Sequence, residues 1–238
     1  MQALYKNIMI KLSGEALMGG TSSSVDVNTV NYIIDEIKKI KTLGVNIGIV
    51  IGGGNFFRGI SGAKDLGLER TNADSMGMLA TVMNGILLKD SLLHHGLATK
   101  VYSQFIVGGI TKPYNRDSMM KRLHDGDIII FVGGTGNPLF TTDSAAALKS
   151  IEMNADILIK ATKVDGIYDC DPIKNPQAIK YDTLTFDEAI NKKLKVMDTS
   201  AFALCQENNM MINVCSIFKP NSLLDVVLGK KEGTFIKG

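Results

Sequence analysis

Ile47-Gly-Ile-Val-Ile51 runs directly into Gly52-Gly53-Gly54-Asn55. An apolar run that stops at glycine reads as a buried strand delivering its C-terminal end to a turn. Glycine at such a point lets backbone N–H groups come close to a bound group, with no Cβ in the way. The arrangement recurs twice. Ile8-Met9-Ile10 leads through Lys11 and Leu12 into Ser13-Gly14, and Ile128 to Val132 leads into Gly133-Gly134-Thr135-Gly136-Asn137. A helix following such a loop adds unpaired N–H donors and a partial positive charge, which favours phosphate. One loop of this kind is weak evidence, because glycine also serves plain turns. Three after strands, with Lys11 beside one and Arg58 beside another, point to a site for several phosphate groups.

Helix and strand patterns alternate around these loops. Val27, Val30, Ile34, Ile37 and Ile40 fall at helical spacing, which predicts an amphipathic helix over Val27–Lys41 that stops before Gly44. Val45–Ile51 follows as the second strand. A long helix is expected over Asp74–His95, its methionines and alanines packing against neighbours rather than binding a cofactor. Strands are expected at Lys100–Gln104, Ile128–Val132, Asp156–Lys160 and Ile212–Ser216. Helices are expected over Asn115–Leu123, about Thr142–Asn154, Thr185–Lys192, Asp198–Asn209 and Asn221–Leu228. Ala161–Tyr181, with Gly166, Pro172 and Pro176, reads as a surface-lying loop or hairpin, and Thr234-Phe235-Ile236 as a closing edge strand. Alternating βα units imply an α/β fold with a mainly parallel sheet and helices on both faces. Ligands in such sheets lie outside the carboxyl ends of the strands, where all three glycine loops fall. With no linker or repeat, 1–238 reads as one domain.

Composition narrows the classes. The chain has 238 residues, 45% hydrophobic and 21% charged, which is ordinary for a soluble globular protein. A formal net charge of +2 is too small to argue for a nucleic-acid-binding surface. Cys170, Cys205 and Cys215 show no CxxC spacing, so neither a disulfide framework nor a zinc site is indicated. The N-terminus lacks the features of a signal peptide, and no apolar run reaches the ~18–20 residues of a membrane span. The expectation is a cytoplasmic protein.

Several chemistries are missing. There is no GxxxxGK[ST], Gly52 to Phe57 lacks the third glycine of GxGxxG, and three histidines form no metal or Ser/His/Asp arrangement. Phosphoryl transfer fits better, because it needs cations and backbone donors more than nucleophiles. Lys11 and Lys160 each end a strand, where two ammonium groups would hold both sides of an in-line transfer. Asp143 is either a first-turn aspartate favoured by the helix dipole or the group that orients the two lysines. Arg58 offers a planar fork suited to a phosphate monoester. Thr135 to Thr142 supplies backbone groups and hydroxyls for the edge of a flat polar base, and Asp74 an acceptor for ribose hydroxyls. Tyr168 and Asp171, in the irregular loop after Lys160, either cover and hydrogen-bond an adenine or serve that loop's own structure, and the same structural alternative stands for Asp74 and Thr135 to Thr142.

At these residues the chain resembles the bacterial UMP kinases (uridylate kinases) of the amino-acid kinase family. The resemblance rests on Lys11-Leu-Ser-Gly-Glu-Ala-Leu17, Gly52-Gly-Gly-Asn-Phe-Phe-Arg-Gly59 and Met76-Gly-Met-Leu-Ala-Thr-Val-Met-Asn84. It rests equally on Gly134-Thr-Gly-Asn-Pro-Leu-Phe-Thr-Thr-Asp-Ser-Ala-Ala146, Lys160-Ala-Thr-Lys-Val-Asp-Gly166 and Leu194-Lys-Val-Met-Asp198. It implies a three-layer αβα sandwich, ATP with Mg²⁺ as co-reactants, UMP as acceptor and UDP as product. The acceptor half would be about 1–155 and the ATP half about 156–238. The resemblance implies a UMP site of Gly53, Arg58, Asp74, Thr135, Gly136, Asn137, Pro138, Leu139, Phe140, Thr141 and Thr142. It implies an ATP site of Lys11, Leu12, Ser13, Gly14, Gly54, Arg58, Thr162, Tyr168 and Asp171, with Lys11, Asp143 and Lys160 catalytic. A homohexamer activated by GTP and inhibited by UTP is also implied. One segment departs from the family. Ser22-Ser-Ser-Val-Asp26 stands where many members have Gly-Phe-Gly-Ile-Asp in the GTP effector region, so weak or absent GTP activation is expected. The competing readings are a non-catalytic nucleotide-binding or storage protein on the same fold, and a nicotinamide-dependent oxidoreductase, which lacks its fingerprint.

Overall fold

Isoleucine and valine decide the centre of the molecule. In the computed structural model, which describes residues 2–57, 67–192, 194 and 197–238, the apolar runs form strands β1 (Asn7–Leu12), β2 (Asn46–Ile51), β5 (Ile128–Val132), β6 (Ile157–Thr162) and β10 (Ile212–Ser216). Continuous apolar runs suit strands covered on both faces. With β3 (Thr99–Ser103), β4 (Lys112–Pro113), β9 (Thr183–Thr185) and β11 (Thr234–Lys237) they make a nine-stranded sheet in the order β4-β3-β5-β2-β1-β6-β10-β11-β9. β11 runs antiparallel to β10, and every other neighbouring pair in this sheet is parallel.

Two helical layers cover the sheet. One holds α1 (Val27–Lys41), α2 (Arg70–His94) and α7 (Ser222–Val227), packed on Ile8, Ile10, Ile47, Ile49, Ile130 and Ile159. The other holds α3 (Arg116–His124), α4 (Thr142–Glu152), α5 (Phe186–Asn191) and α6 (Thr199–Glu207), packed on Met9, Val50, Phe131, Leu158 and Val214. Successive strand residues face opposite layers, so Lys11 shares the face of Met9, and Lys160 that of Leu158. Both lysines therefore look toward α4. Among the described residues α2 is the one helix whose length and composition would suit a bilayer. Its inner face packs on β2, β3 and β5 and on α1.

The observed elements differ from expectation at short segments. Thr234–Ile236 belongs to β11, which is not an edge. β9 lies outside it, a strand too short for any periodicity to reveal. The other edge is β4, where Pro113 is tolerated because an edge position needs no N–H on its outer side. A 3₁₀ turn, Gly14–Met18, follows β1. α2 begins four residues before Asp74, its first turn supported by the Arg70–Asp74 pair at 2.9 Å. The stretch from Ala161 forms a hairpin of β7 (Ile167–Tyr168) and β8 (Lys180–Tyr181).

The close seating of α2 depends on Gly85, which lies against β5. A Cβ at this position would overlap the Val132 Cγ1 methyl. Alanine is otherwise preferred to glycine inside a helix by about 1 kcal/mol, so the two effects oppose. We expect Gly85→Ala to be net destabilising by about 1–3 kcal/mol, as overpacking typically is. Denaturant unfolding of the variant checks this, and an unchanged or raised midpoint would show that α2 is free to shift outward.

Candidate active site

The three glycine loops leave β1, β2 and β5, and these strands stand side by side in the order β5-β2-β1-β6. From β1 the chain builds outward through β2 and β3, returns at β5, then crosses β1 to place β6 on its other side. The strand order thus reverses between β1 and β6, the usual location of a crevice in an open α/β sheet. Lys11 and Lys160 are register partners across this boundary.

The third member arrives from α4. Thr141 caps this helix by accepting a hydrogen bond from the Asp143 N–H (3.0 Å), which brings Asp143 into the first turn above the two strands. Lys11 Nζ lies 2.8 Å from Asp143 Oδ1, and Lys160 Nζ lies 2.7 Å from Oδ2. All three side chains are nearly buried. Burial by itself pushes the Asp143 carboxyl up, but the ammonium groups of Lys11 and Lys160 outweigh it and hold Asp143 below the usual carboxylate range. Burial and the neighbouring Lys11 charge lower Lys160, against the opposing pull of Asp143 and Asp198.

Asp198 fixes the start of α4 from outside. It caps α6 through Ala201 N (2.7 Å), accepts from Ser144 Oγ at 3.0 and 3.1 Å, and accepts the Thr141 hydroxyl. One carboxylate therefore ties the N-termini of α4 and α6 together beside Asp143.

A cleft opens on each side of the triad. The smaller, about 200 Å³, lies between the β2 and β5 loops and α2. Gly53, Asp74, Thr81, Gly134, Phe140, Thr141 and Thr142 line it. Thr135, Gly136, Asn137, Pro138 and Leu139 form the outer part of the same loop and are absent from that lining. Thr135 Oγ1 and Asn137 hydrogen-bond each other locally, while Asp74 accepts from Leu139 N at 2.9 Å. Leu139 has φ 74°, in the left-handed region, where the loop turns.

The larger cleft, about 520 Å³, lies beyond Lys160 under the β7–β8 hairpin. Thr162, Tyr168, Asp171, Lys192 and Val214 are among its walls. Tyr168 donates its hydroxyl to Asp165 at 2.5 Å, which fixes the ring and pushes the phenol up to about 12. Asp171 accepts from Ile173 N at 3.0 Å and so shapes the turn at the tip of the hairpin. Leu12 is buried at the end of β1, and Ser13 opens the 3₁₀ turn. Gly14 is pressed against its neighbours, where a Cβ would meet Gly52 O at 2.7 Å and Gly54 N at 2.8 Å. Arg58 lies outside the described residues.

The structure thus brings together Lys11, Asp143 and Lys160, and places Gly53, Asp74, Phe140, Thr141 and Thr142 on one side with Thr162, Tyr168 and Asp171 on the other. Sequence reasoning quoted Asp198, Thr81 and Asn84 within motifs but assigned them no role of their own. Thr81 and Asn84 left one trace, as uncharged polar residues three apart within the otherwise apolar stretch from Met76 to Leu88.

Known proteins share this fold. The model of the amino acid kinase family matches residues 6–216. A UMP kinase structure from Bacillus anthracis superposes with a TM-score of 0.95 at 35% identity, covering 98% of this chain and 96% of its own. A UMP kinase from Ureaplasma parvum gives 0.92 at 40% identity, with 100% of each chain covered. A uridylate kinase from Archaeoglobus fulgidus gives 0.74 at 25% identity, covering 96% of this chain and 99% of its own. With its two lysines, bridging aspartate and glycine loops on a sheet of this topology, the chain belongs to the amino acid kinase family.

Proposed function

We propose that this protein transfers the γ-phosphoryl group of ATP to UMP, giving ADP and UDP. The observation that carries the reading is the Lys11–Asp143–Lys160 triad at the strand-order reversal, with one cleft on each side. In-line transfer needs donor and acceptor to approach from opposite directions with cations between them. The cleft beside Tyr168 and Thr162 takes ATP, and the cleft lined by Gly53, Asp74 and Thr141 takes UMP. The triad carries one more positive than negative charge, and its two ammonium groups are aimed where phosphoryl oxygens gain charge. Asp143 orients them. A non-catalytic binding protein would have no use for two cations so held.

Mg²⁺ accompanies ATP in this reading. Among the described residues no group of three His, Cys, Asp or Glu could cage a metal. That fits an ion held largely by nucleotide phosphates and water, as Mg²⁺ commonly is. When bound it would neutralise charge on the β- and γ-phosphates. The same proposal takes 1–238 as one domain of two functional halves, in the cytoplasm, within pyrimidine nucleotide synthesis.

A coupled ADP-release assay with UMP, CMP, acetylglutamate and aspartate as acceptors tests the reaction. UMP is expected to be the strongly preferred acceptor. The exocyclic amine of cytosine reverses a donor and an acceptor, and a site built to hydrogen-bond its substrate rejects such analogues by up to ~10⁴–10⁵. Similar kcat/KM values for UMP and CMP would contradict the assignment of the base to the cleft walled by Phe140, Thr141 and Thr142.

Lys11→Met and Lys160→Met are each expected to lower kcat by at least ~10²–10³, the scale of losing one preorganised electrostatic group. Asp143→Asn should lower kcat strongly with little change in nucleotide affinity, since its task is orientation rather than holding substrate. Calorimetry showing lost affinity at unchanged kcat would reverse that assignment.

Assembly and regulation are part of the reading. Met76, Leu79 and Met83 expose apolar surface along the outer face of α2, as a subunit contact would require. A homohexamer is expected. UTP should inhibit by placing its uracil in the UMP cleft, and GTP should activate weakly or not at all, given Ser22 to Val25. Light scattering at monomer mass would count against the assembly, and several-fold GTP activation against the regulatory expectation.

A further inference from the structure

Three polar side chains stand on the inner face of α2, and each holds a loop. Asp74 accepts from Leu139 N at 2.9 Å. Two turns along, Thr81 Oγ1 accepts from Gly133 N at 2.8 Å while donating to Met78 O at 2.6 Å. Three residues further, Asn84 Nδ2 donates to Gly52 O at 2.7 Å and to Asn55 Oδ1 at 2.7 Å. Asn55 Nδ2 in turn reaches Asn84 Oδ1 at 3.1 Å and Ser24 O at 2.8 Å. Thr81 and Asn84 are 3% and 0% exposed, so neither is a surface group that happens to lie nearby.

We propose that Thr81 and Asn84 are the positioning residues of acceptor binding, setting the direction and separation of the β2 and β5 glycine loops. The proposal rests on the reading of the smaller cleft as the UMP site. The geometry follows from two repeats. Adjacent strands lie about 4.7–4.9 Å apart, and side chains three apart on a helix about 5–6 Å apart. One turn of α2 laid across β2 and β5 therefore presents one polar group to each strand end. Both loops need such a guide, because glycine sets few limits of its own on backbone direction.

Each contact fixes a particular peptide. The Gly52–Gly53 peptide is planar and trans, so anchoring the Gly52 carbonyl on Asn84 sets the Gly53 N–H in the opposite direction. Gly53 lines the acceptor cleft. On the other loop, Thr81 holds Gly133 N immediately before the left-handed turn at Gly133 and Gly134, with φ 80° and 58°. Asp74 holds Leu139 at the far end. The loop over the acceptor is strapped to one helix at both of its ends.

The test uses the full chain, with wild type, Thr81→Val, Thr81→Ser and Asn84→Asp compared by circular dichroism, calorimetric titration with UMP, and steady-state kinetics. Thr81→Val keeps the shape and removes the hydroxyl, and Asn84→Asp removes the donor to Gly52. Both are expected to raise the KM for UMP by about 10-fold, the scale of one misdirected hydrogen bond, with the KM for ATP changed less than about 2-fold. Thr81→Ser should restore the wild-type value. Should Thr81→Val not fold, Asn55→Ala at the half-buried end of the network carries the same expectation. Equal changes in both KM values, an unchanged KM for UMP in a folded variant, or failure of Thr81→Ser to restore it would each overturn the proposal. Failure of wild type to bind UMP at all would overturn the acceptor assignment itself, and so is distinguishable.

Discussion

Two buried ammonium groups sharing one carboxylate set the terms for the rest of this structure. Removing a charge from water is costly unless good geometry returns most of the loss. Here Asp143 places one oxygen on Lys11 and the other on Lys160, at 2.8 and 2.7 Å. The arrangement requires β1 and β6 to be adjacent and parallel, and α4 to begin directly above their ends. Ala145, Ala146 and Ala147 give α4 a thin inner face, which lets it settle closely on β1 and β6. Asp198 then secures the first turn from α6. Packing, capping and electrostatics converge on the same few ångströms.

The two clefts differ in how their walls are made. The larger is roofed by a hairpin whose shape comes from short-range hydrogen bonds, such as those of Asp165 with Tyr168 and Asp169 with Ile179. The smaller is walled by a long helix and by loops from distant parts of the chain. A wall built from local contacts can open with little effect elsewhere, whereas one strapped to α2 moves only with that helix. On the proposed reading, the acceptor sits in the cleft that is strapped to α2 and the donor in the cleft with the locally built roof.

Much of this was legible in the sequence because long apolar runs carry strong signals. Val27–Lys41, Ile128–Val132 and Ile212–Ser216 have the bounds that their periodicity and punctuation predict. Lys11, Lys160 and Asp143 were legible as strand-end cations and a first-turn acid. Strands such as β4 and β9 were not, since two or three residues are too few for a pattern, and β11 consequently looked like an edge. The contacts of Asp198, Asn55, Thr81 and Asn84 were not legible for another reason. Beyond local capping, their loop-holding contacts lie far along the chain, Gly133 for Thr81 and Thr141 for Asp198, and no local spacing encodes those meetings.

The pairing of Lys11 with Lys160 has an implication for how such a protein fails. Side chains alternate across a strand, so slipping β1 by one residue against β6 would send Lys11 into the layer of α1 and α2 and bring an apolar neighbour toward Asp143. Apart from Asn7 at its start and this lysine, both faces of β1 are apolar, so hydrophobic pattern alone defends the register only weakly. The jigsaw fit of Ile8, Met9 and Ile10 into their separate layers must therefore act as the gauge that meters where the charge lands. Substitutions deep in that core, far from either nucleotide, would yield molecules that are folded and yet chemically silent.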